Sequence, residues 1–160
     1  MFTFSIEAIH AGWFDVKISN ETKEAFLSNS WYLNNDAPKI LLNNLNDLAG
    51  RVLSSCWLCW HDEPGASIWH LNKEEDILQY TIADAVKDSI DLCCEGIALS
   101  NEEIFAEIIS GYIPFNDFYA VIVKAMNSYS RGTKLETYNK EWETFPFAEL
   151  YKAIEILHLT

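Results

Sequence analysis

The chain has 160 residues, and its 11 Lys and Arg against 24 Asp and Glu give a formal net charge of −13. Hydrophobic residues make up 49% and aromatic residues 14% of the sequence, which excludes a disordered chain and indicates one domain with a substantial core. The acidity excludes a basic surface for nucleic-acid phosphates and disfavours binding to an anionic membrane. A cationic partner is the class it favours, and the alternative is that the charge only keeps the protein dispersed.

The first predicted elements are two strands joined by a tight turn. Apolar and polar residues alternate over positions 2–8 and again over positions 14–18, and Ala11-Gly12 lies between the two runs. Alternation of this kind predicts an antiparallel hairpin with one wet face. A third strand is predicted over residues 26–33.

A helix and a second set of strands follow. Asp36 is a typical N-cap, Pro38 lies in the first turn, and Gly50 ends the helix after leucines at helical spacing. Alternating runs then predict strands over residues 52–60, 67–72 and 77–83. The Pro-Gly pair at positions 64–65 predicts the turn between the first two of these strands, and residues 88–94 are predicted as a further edge strand.

The hydrophobic period becomes helical from Ser100. Ser100 and Glu103 form a capping box, and Gly111 is the predicted end of that helix. A longer helix is predicted over residues 114–132, a short helical turn over 138–142, and a final helix from Pro146.

The order of these elements predicts an α+β fold in a single domain over residues 1–160. We expect an antiparallel meander sheet of five to seven strands drawn from residues 2–94. The helices of the C-terminal half are expected to pack on one face of that sheet. Tyr138, Trp142 and Phe145 are expected to be buried and to fix the last helix against the body of the protein.

The N-terminus gives no indication of a targeting signal. Its residues alternate and include Glu7, whereas a secretory signal needs a basic start and a continuous apolar run. No apolar stretch approaches the roughly 20 residues that span a bilayer. We therefore expect an unprocessed, cytoplasmic protein.

Motifs for catalysis are missing from the sequence. It contains no G-x-S-x-G, no glycine-rich phosphate loop and no H-E-x-x-H. Cys56 and Cys59 have C-x-x-C spacing, but residues three apart on a strand point to opposite faces, so this pair is not expected to chelate a metal. Cys93 and Cys94 are expected to be free thiols. We predict a protein that is not an enzyme and that has no metal and no cofactor.

A possible ligand-binding rim lies around the Pro-Gly turn. His61 and His70 flank this turn and could approach each other across the hairpin, close to Trp60 and Glu63. Such a cluster of imidazole and carboxylate groups could bind a small molecule or a metal. The alternative is that these histidines at a strand end only hydrogen-bond locally or face water.

Acidic residues are concentrated between Glu74 and Glu95. Seven acids against the single base Lys87 give this stretch a local charge of −6. Acids spread over turns and strand ends do not resemble a paired catalytic dyad. They form either a solvated rim or a negative face for a positive partner. The candidate partner-binding residues are Glu74, Glu75, Asp76, Asp84, Asp88 and Asp91.

Two stretches of the chain resemble a bacterial family known mainly as uncharacterised proteins. The first runs from Trp60 to Leu71 and contains Glu63-Pro64-Gly65 as the turn between two strands. The second is Gly132, then Tyr138-x-x-x-Trp142 and Phe145-Pro146 ahead of a final helix. The resemblance covers nearly the whole chain and implies a small single-domain protein without catalytic residues. Small acidic proteins of this kind are frequently immunity proteins encoded beside secreted bacterial toxins.

These observations lead to one functional hypothesis and two alternatives. We hypothesise a non-enzymatic immunity-type protein that binds a cognate basic toxin domain, because the basic substrate groove of a nuclease toxin would attract an acidic face. One alternative is small-molecule or metal binding at the rim around His61 and His70. The other is a homo-oligomeric scaffold, such as a homodimer with aromatic residues in its interface. An exposed acidic patch would favour the immunity-type protein. A concave polar pocket would favour ligand binding at the rim, and an exposed apolar patch would favour the homo-oligomer.

Overall fold

The computed structural model describes residues 1–31, 36–62, 65–85 and 105–159. In these residues the chain forms seven strands, all paired antiparallel, and four helices. The predicted α+β class is therefore confirmed. The strands form two sheets, of three and four strands, rather than the one sheet that was expected. None of the helices in these described ranges is long and apolar enough to cross a membrane.

The first sheet follows directly from the alternation at the N-terminus. Strands β1 (Thr3–His10), β2 (Trp13–Ser19) and β3 (Glu24–Ser30) lie side by side in that order. Ala11 and Gly12 both have positive φ angles, of 48° and 80°, which is the backbone that a two-residue hairpin turn requires. The predicted hairpin is confirmed, and the third strand begins two residues earlier than predicted.

Helix α1 (Ala37–Ala49) also forms where it was predicted. The Asp36 side chain caps it by accepting a hydrogen bond from the backbone N–H of Lys39. At the other end the Val52 N–H donates to the Asp47 carbonyl at 2.9 Å, the six-to-one bond of a Schellman motif. The left-handed position of this motif is held by Arg51, with a φ angle of 57°, and not by Gly50.

The second sheet contains strands β4 (Ser55–His61), β5 (Ala66–Glu74), β6 (Ile77–Ala85) and β7 (Phe105–Pro114) in that order. The predicted meander over β4 to β6 is confirmed. The backbone N–H of Asp62 donates to the Gly65 carbonyl at 3.1 Å and His61 pairs with Ala66, so β4 and β5 are adjacent on either side of the predicted Pro-Gly turn, whose residues 63 and 64 lie outside the described residues. The edge strand predicted at 88–94 lies outside the described residues.

The helix predicted over residues 100–111 is wrong for the part that the structure describes. Residues from Phe105 onward form β7, which pairs antiparallel with β6. Apolar residues that are adjacent in the sequence, as in this segment, fit a helical period and a buried strand equally well. β-Branched Ile108, Ile109 and Ile113 favour the strand, and pairing along the whole of β6 stabilises it.

The two sheets pack through their aromatic inner faces. The Phe2 ring lies 5.2 Å from the ring of Tyr80 on β6, and the Phe4 ring lies 6.4 Å from that of Trp69 on β5. Strand β1 therefore crosses the second sheet instead of extending it. Helices α2 (Phe115–Asn127), α3 (Gly132–Glu141) and α4 (Phe147–Leu159) complete the described chain and add to the same core.

The closing aromatic residues are buried as predicted. Tyr138, Trp142 and Phe145 all belong to the hydrophobic core. The Trp142 indole lies 5.7 Å from the ring of Phe14 and donates its Nε1–H to Asp36 Oδ1 at 3.1 Å. The end of α3 is thereby connected to the first sheet and to the start of α1.

Candidate functional site

An acidic surface forms at one end of the second sheet, where the loop after α1 meets the β5–β6 turn. The backbone N–H of Lys73 donates to the Ser54 carbonyl at 2.7 Å and holds the two segments together. The side chains that share this surface are exposed. We call it the acidic tip, and it consists of Val52, Leu53, Glu74, Glu75, Asp76 and Ile77.

Apolar side chains lie among the acids of the acidic tip. Val52 is 73% exposed, Ile77 45% and Leu53 36%. A groove of about 740 Å³ runs between the two segments, and Leu53, Glu75 and Asp76 are among the residues that line it. Exposed apolar residues bordered by polar side chains are typical of protein interfaces.

Backbone strain is concentrated in the same groove. Arg51 and Glu75 have φ angles of 57° and 54°, and they are two of the three non-glycine residues with positive φ in the described part of the chain. Both line the groove of the acidic tip. An L-residue with a side chain in this left-handed region costs roughly 1–2 kcal/mol, and such costs cluster at functional sites.

Arg51 and Lys73 line the groove beside the carboxylates of the acidic tip but form no ion pair with them in the described residues. Within the described ranges no ion pair involves Glu74, Glu75 or Asp76, whereas acids elsewhere, such as Glu107 with Lys23 at 3.1 Å, are paired. The nearest base in sequence, Lys73, lies over the Phe115 ring at 5.0 Å. The negative charge of the tip is therefore available to a partner.

The structure separates Asp84 from the acidic tip. Asp84 pairs with Ser67 at the far end of β6, which is about 23 Å from Ile77 at the usual rise of a strand. Its neighbour there is Asp62, and burial raises the pKa of both carboxyl groups, with the like charge of Asp84 adding to the effect on Asp62. Of the six predicted partner-binding residues, the structure brings three together; Asp88 and Asp91 lie outside the described residues.

The predicted ligand rim does not converge in the described residues. His61 pairs with Ala66 and His70 pairs with Trp57, so the two histidines are about 13 Å apart along the hairpin. The hypothesis that they approach each other across the hairpin is wrong, and the alternative of separate local contacts agrees with this pairing. Trp60 points to the opposite face and is 1% exposed, and Glu63 lies outside the described residues.

Each histidine of this hairpin has a local partner. The His70 ring stacks on the indole of Trp57 at a centroid distance of 3.8 Å and an interplanar angle of 8°. Burial lowers the pKa of His70. His61 is buried, and one of its ring nitrogens lies 3.6 Å from Cys59 Sγ. These contacts explain the positions of the histidines without a ligand.

The C-x-x-C cysteines point to opposite faces of β4, as predicted. Cys56 is buried in the main core, whereas Cys59 packs against a small cluster on the other face. Burial raises the pKa of the Cys56 thiol to about 12. In the parts of the chain that the structure describes, no group of three or more His, Cys, Asp or Glu side chains is placed to hold a metal ion. Cys93 and Cys94 lie outside those parts.

One hydroxyl, carboxylate and imidazole do meet on the outer face of the first sheet. Ser28 Oγ donates to Asp15 Oδ1 at 2.6 Å, and His10 Nε2 lies 2.9 Å from Asp15 Oδ2. The carboxylate stands between the other two groups, so the imidazole does not contact the hydroxyl. Activation of a serine requires that contact, and this arrangement does not provide it.

A second groove was missed by the sequence analysis. It has a volume of about 860 Å³ and lies where the start of β1 and the β2–β3 turn face the junction of β7 and α2. The residues that line it include Asn20, Glu21, Tyr80, Tyr112, Pro114 and Asp117. We call it the β7–α2 groove. Tyr112 lies between the helix predicted over 100–111 and the one predicted over 114–132, whereas the structure places it on β7; its place beside β-branched Ile113 is the signal for that strand.

No family model and no curated protein matches the chain. Among solved structures, the chain is similar to a chain of the CdiA-CT/CdiI toxin and immunity complex from Enterobacter cloacae, with 14% identity and a TM-score of 0.45. That similarity covers 79% of this chain and 99% of the other.

Proposed function

We propose that this protein is a non-enzymatic immunity protein of the bacterial cytoplasm that binds a cognate basic toxin domain through its acidic tip. The observation that carries the proposal is the composition of the tip. Glu75 and Asp76 line one groove together with exposed Val52 and Leu53. Exposed Glu74 and Ile77 flank these acids in the β5–β6 turn. Charge attracts a basic protein to such a surface, and the apolar side chains provide area to bury after contact.

The charge of the whole chain supports the same proposal. A net charge of −13 gives a long-range field that accelerates encounter with a cationic protein. Such a surface would compete with nucleic acid for a basic groove, because both present negative charge to it. The left-handed φ angle of Glu75 in the β5–β6 turn is a local backbone strain of the kind that clusters at functional sites.

The test measures association with the product of the neighbouring gene. Reversal of Glu74, Glu75 and Asp76 to Lys changes the net charge by six units, from −13 to −7. We expect this variant to associate at least about tenfold more slowly at low salt, and the difference to shrink in high salt as the charges are screened. The melting temperature should barely change because exposed charges contribute little to stability.

A matched control separates the acidic tip from net charge. Reversal of Glu7, Glu136 and Glu155 to Lys changes the net charge equally at exposed positions outside the tip. We expect a much smaller effect on the association rate. Equal slowing by both variants would remove the tip from the proposal. Failure of the wild-type protein to bind the neighbouring gene product would remove the immunity function.

A further inference from the structure

We propose that the β7–α2 groove binds an arginine side chain of the protein partner. This inference rests on the proposed function, because it names a second contact of the same complex. The argument comes from the shape of the groove, its charge, its exposed aromatic ring and its position next to the acidic tip.

The groove has a polar floor and apolar walls. Asn20 Nδ2 donates to Tyr80 Oη at 3.1 Å and to the Ser110 carbonyl at 3.0 Å, which fixes the floor. The Tyr80 ring comes so close to the backbone at Gly111 that a Cβ there would lie 2.8 Å from Tyr80 Oη. Pro114, Ala120 and Val121 are among the apolar residues that line the walls. A groove with this lining suits a side chain with a long aliphatic stem and a polar end.

The charged side chains that line the groove are both acidic. They are Glu21 and Asp117; among the described residues no Lys or Arg lines the groove, and Met1, which carries the N-terminal amine, does. The N-terminal amine lies 2.8 Å from Glu21 Oε1 and lowers the pKa of that carboxyl group. No ion pair within the described ranges engages Asp117, which is exposed. Asp117 is thus the carboxylate that a cation entering the groove would meet.

The exposed ring of Tyr112 favours arginine over lysine. Tyr112 is 74% exposed on β7 and lines the same groove. A planar guanidinium stacks on an aromatic face and pairs with a carboxylate at the same time, and it is less strongly hydrated than an ammonium group. Its aliphatic stem would lie along the apolar wall.

The groove and the acidic tip are neighbours. Ile77 of the tip pairs with Pro114, and the backbone N–H of Phe115 donates to the Asp76 carbonyl at 2.8 Å. Tyr112 pairs with Gln79, two residues farther along β6, which places it about 7 Å from Pro114. One basic partner can therefore contact both surfaces in a single interface.

The test uses a small probe, so it does not depend on the partner. N-acetyl-arginine methylamide is titrated into the isotopically labelled full chain while amide chemical shifts are recorded, and the neutral isostere N-acetyl-citrulline methylamide is titrated in parallel. We expect saturable shifts at Gly111, Tyr112 and Asp117 with arginine and at least threefold weaker binding of citrulline. Absence of saturable shifts in the groove, or equal binding of the two compounds, would overturn the inference.

Variants then assign the contacts. Asp117→Asn and Tyr112→Ala alter exposed side chains and should each weaken arginine binding at least threefold. The matched controls are Glu136→Gln and Tyr151→Ala, which change an exposed acid and a 61% exposed tyrosine outside the groove. Unchanged affinity in both groove variants would overturn the assignment.

The same variants separate this inference from the proposed function. If the neighbouring gene product binds and the groove variants leave its dissociation rate unchanged, the groove inference fails while the proposed function stands. If the gene product does not bind wild-type protein, the proposed function fails. Faster dissociation in Asp117→Asn, at least threefold, supports both.

Discussion

Replacement of Glu75 by glycine should stabilise the fold and weaken binding at the same time. Glu75 holds a φ angle of 54° in the β5–β6 turn, which costs an L-residue about 1–2 kcal/mol. Glycine removes this cost. It also raises the conformational entropy of the unfolded chain, which lowers the gain in stability by about 0.4–1 kcal/mol. The net gain should be about 0.5–1 kcal/mol, or roughly 1–4 °C in melting temperature for a chain of this size.

Two further variants separate strain from charge. Glu75→Ala removes the carboxylate but keeps the strained backbone, so it should slow association with a basic partner and leave stability nearly unchanged. Arg51→Gly relieves the corresponding left-handed position after α1, where φ is 57°. It should stabilise the protein like Glu75→Gly but not slow association, because it removes a positive charge from the groove.

The assay is urea unfolding followed by circular dichroism, together with association kinetics for the same proteins. The free energies of unfolding are compared with one shared m-value, the slope of the free energy against urea concentration. A changed m-value would indicate a changed unfolded state. The reasoning would be refuted if Glu75→Gly lowered the free energy of unfolding by more than about 0.5 kcal/mol, which is beyond the usual range of surface substitutions. Equal stability of the glycine and alanine variants would refute it as well.

Three predictions concern the core and the sheets. Trp142→Ala should cost about 3–5 kcal/mol of unfolding free energy, and a loss below about 1 kcal/mol in urea would show a peripheral residue. Gly111→Ala should cost about 1–3 kcal/mol by crowding Tyr80 Oη, and Tyr80→Phe should recover part of that loss in the double variant; additive losses would contradict the contact. Burial lowers the pKa of His70 from 6.5, so the unfolded chain takes up this proton first and stability falls as the pH drops below about 6.5. His70→Gln should flatten that part of a stability–pH curve, and an unchanged slope would contradict the shift.

Short-range patterns in the sequence determined the elements that need no distant partner. The alternation around Ala11-Gly12 was sufficient for the β1–β2 hairpin, because turn geometry and strand period agree there. The cap at Asp36 and the leucine spacing were likewise sufficient for α1, and the alternation on β4 correctly placed Cys56 and Cys59 on opposite faces. Such signals act within a few residues, so a sequence pattern records them completely.

Tertiary structure alone decided which distant residues meet. The segment that includes Ile108 and Ile109 fits two periods, and pairing with β6 makes it a strand. Asp84 lies at the far end of β6, although Asp84 is only eight residues after Asp76 in the sequence. A strand advances about 3.3 Å per residue, so acids close in sequence separate along β6, while the loop after α1 comes to the acidic tip from far away in the chain. Burial, charge proximity and groove shape depend on these non-local pairings, and the sequence pattern does not contain them.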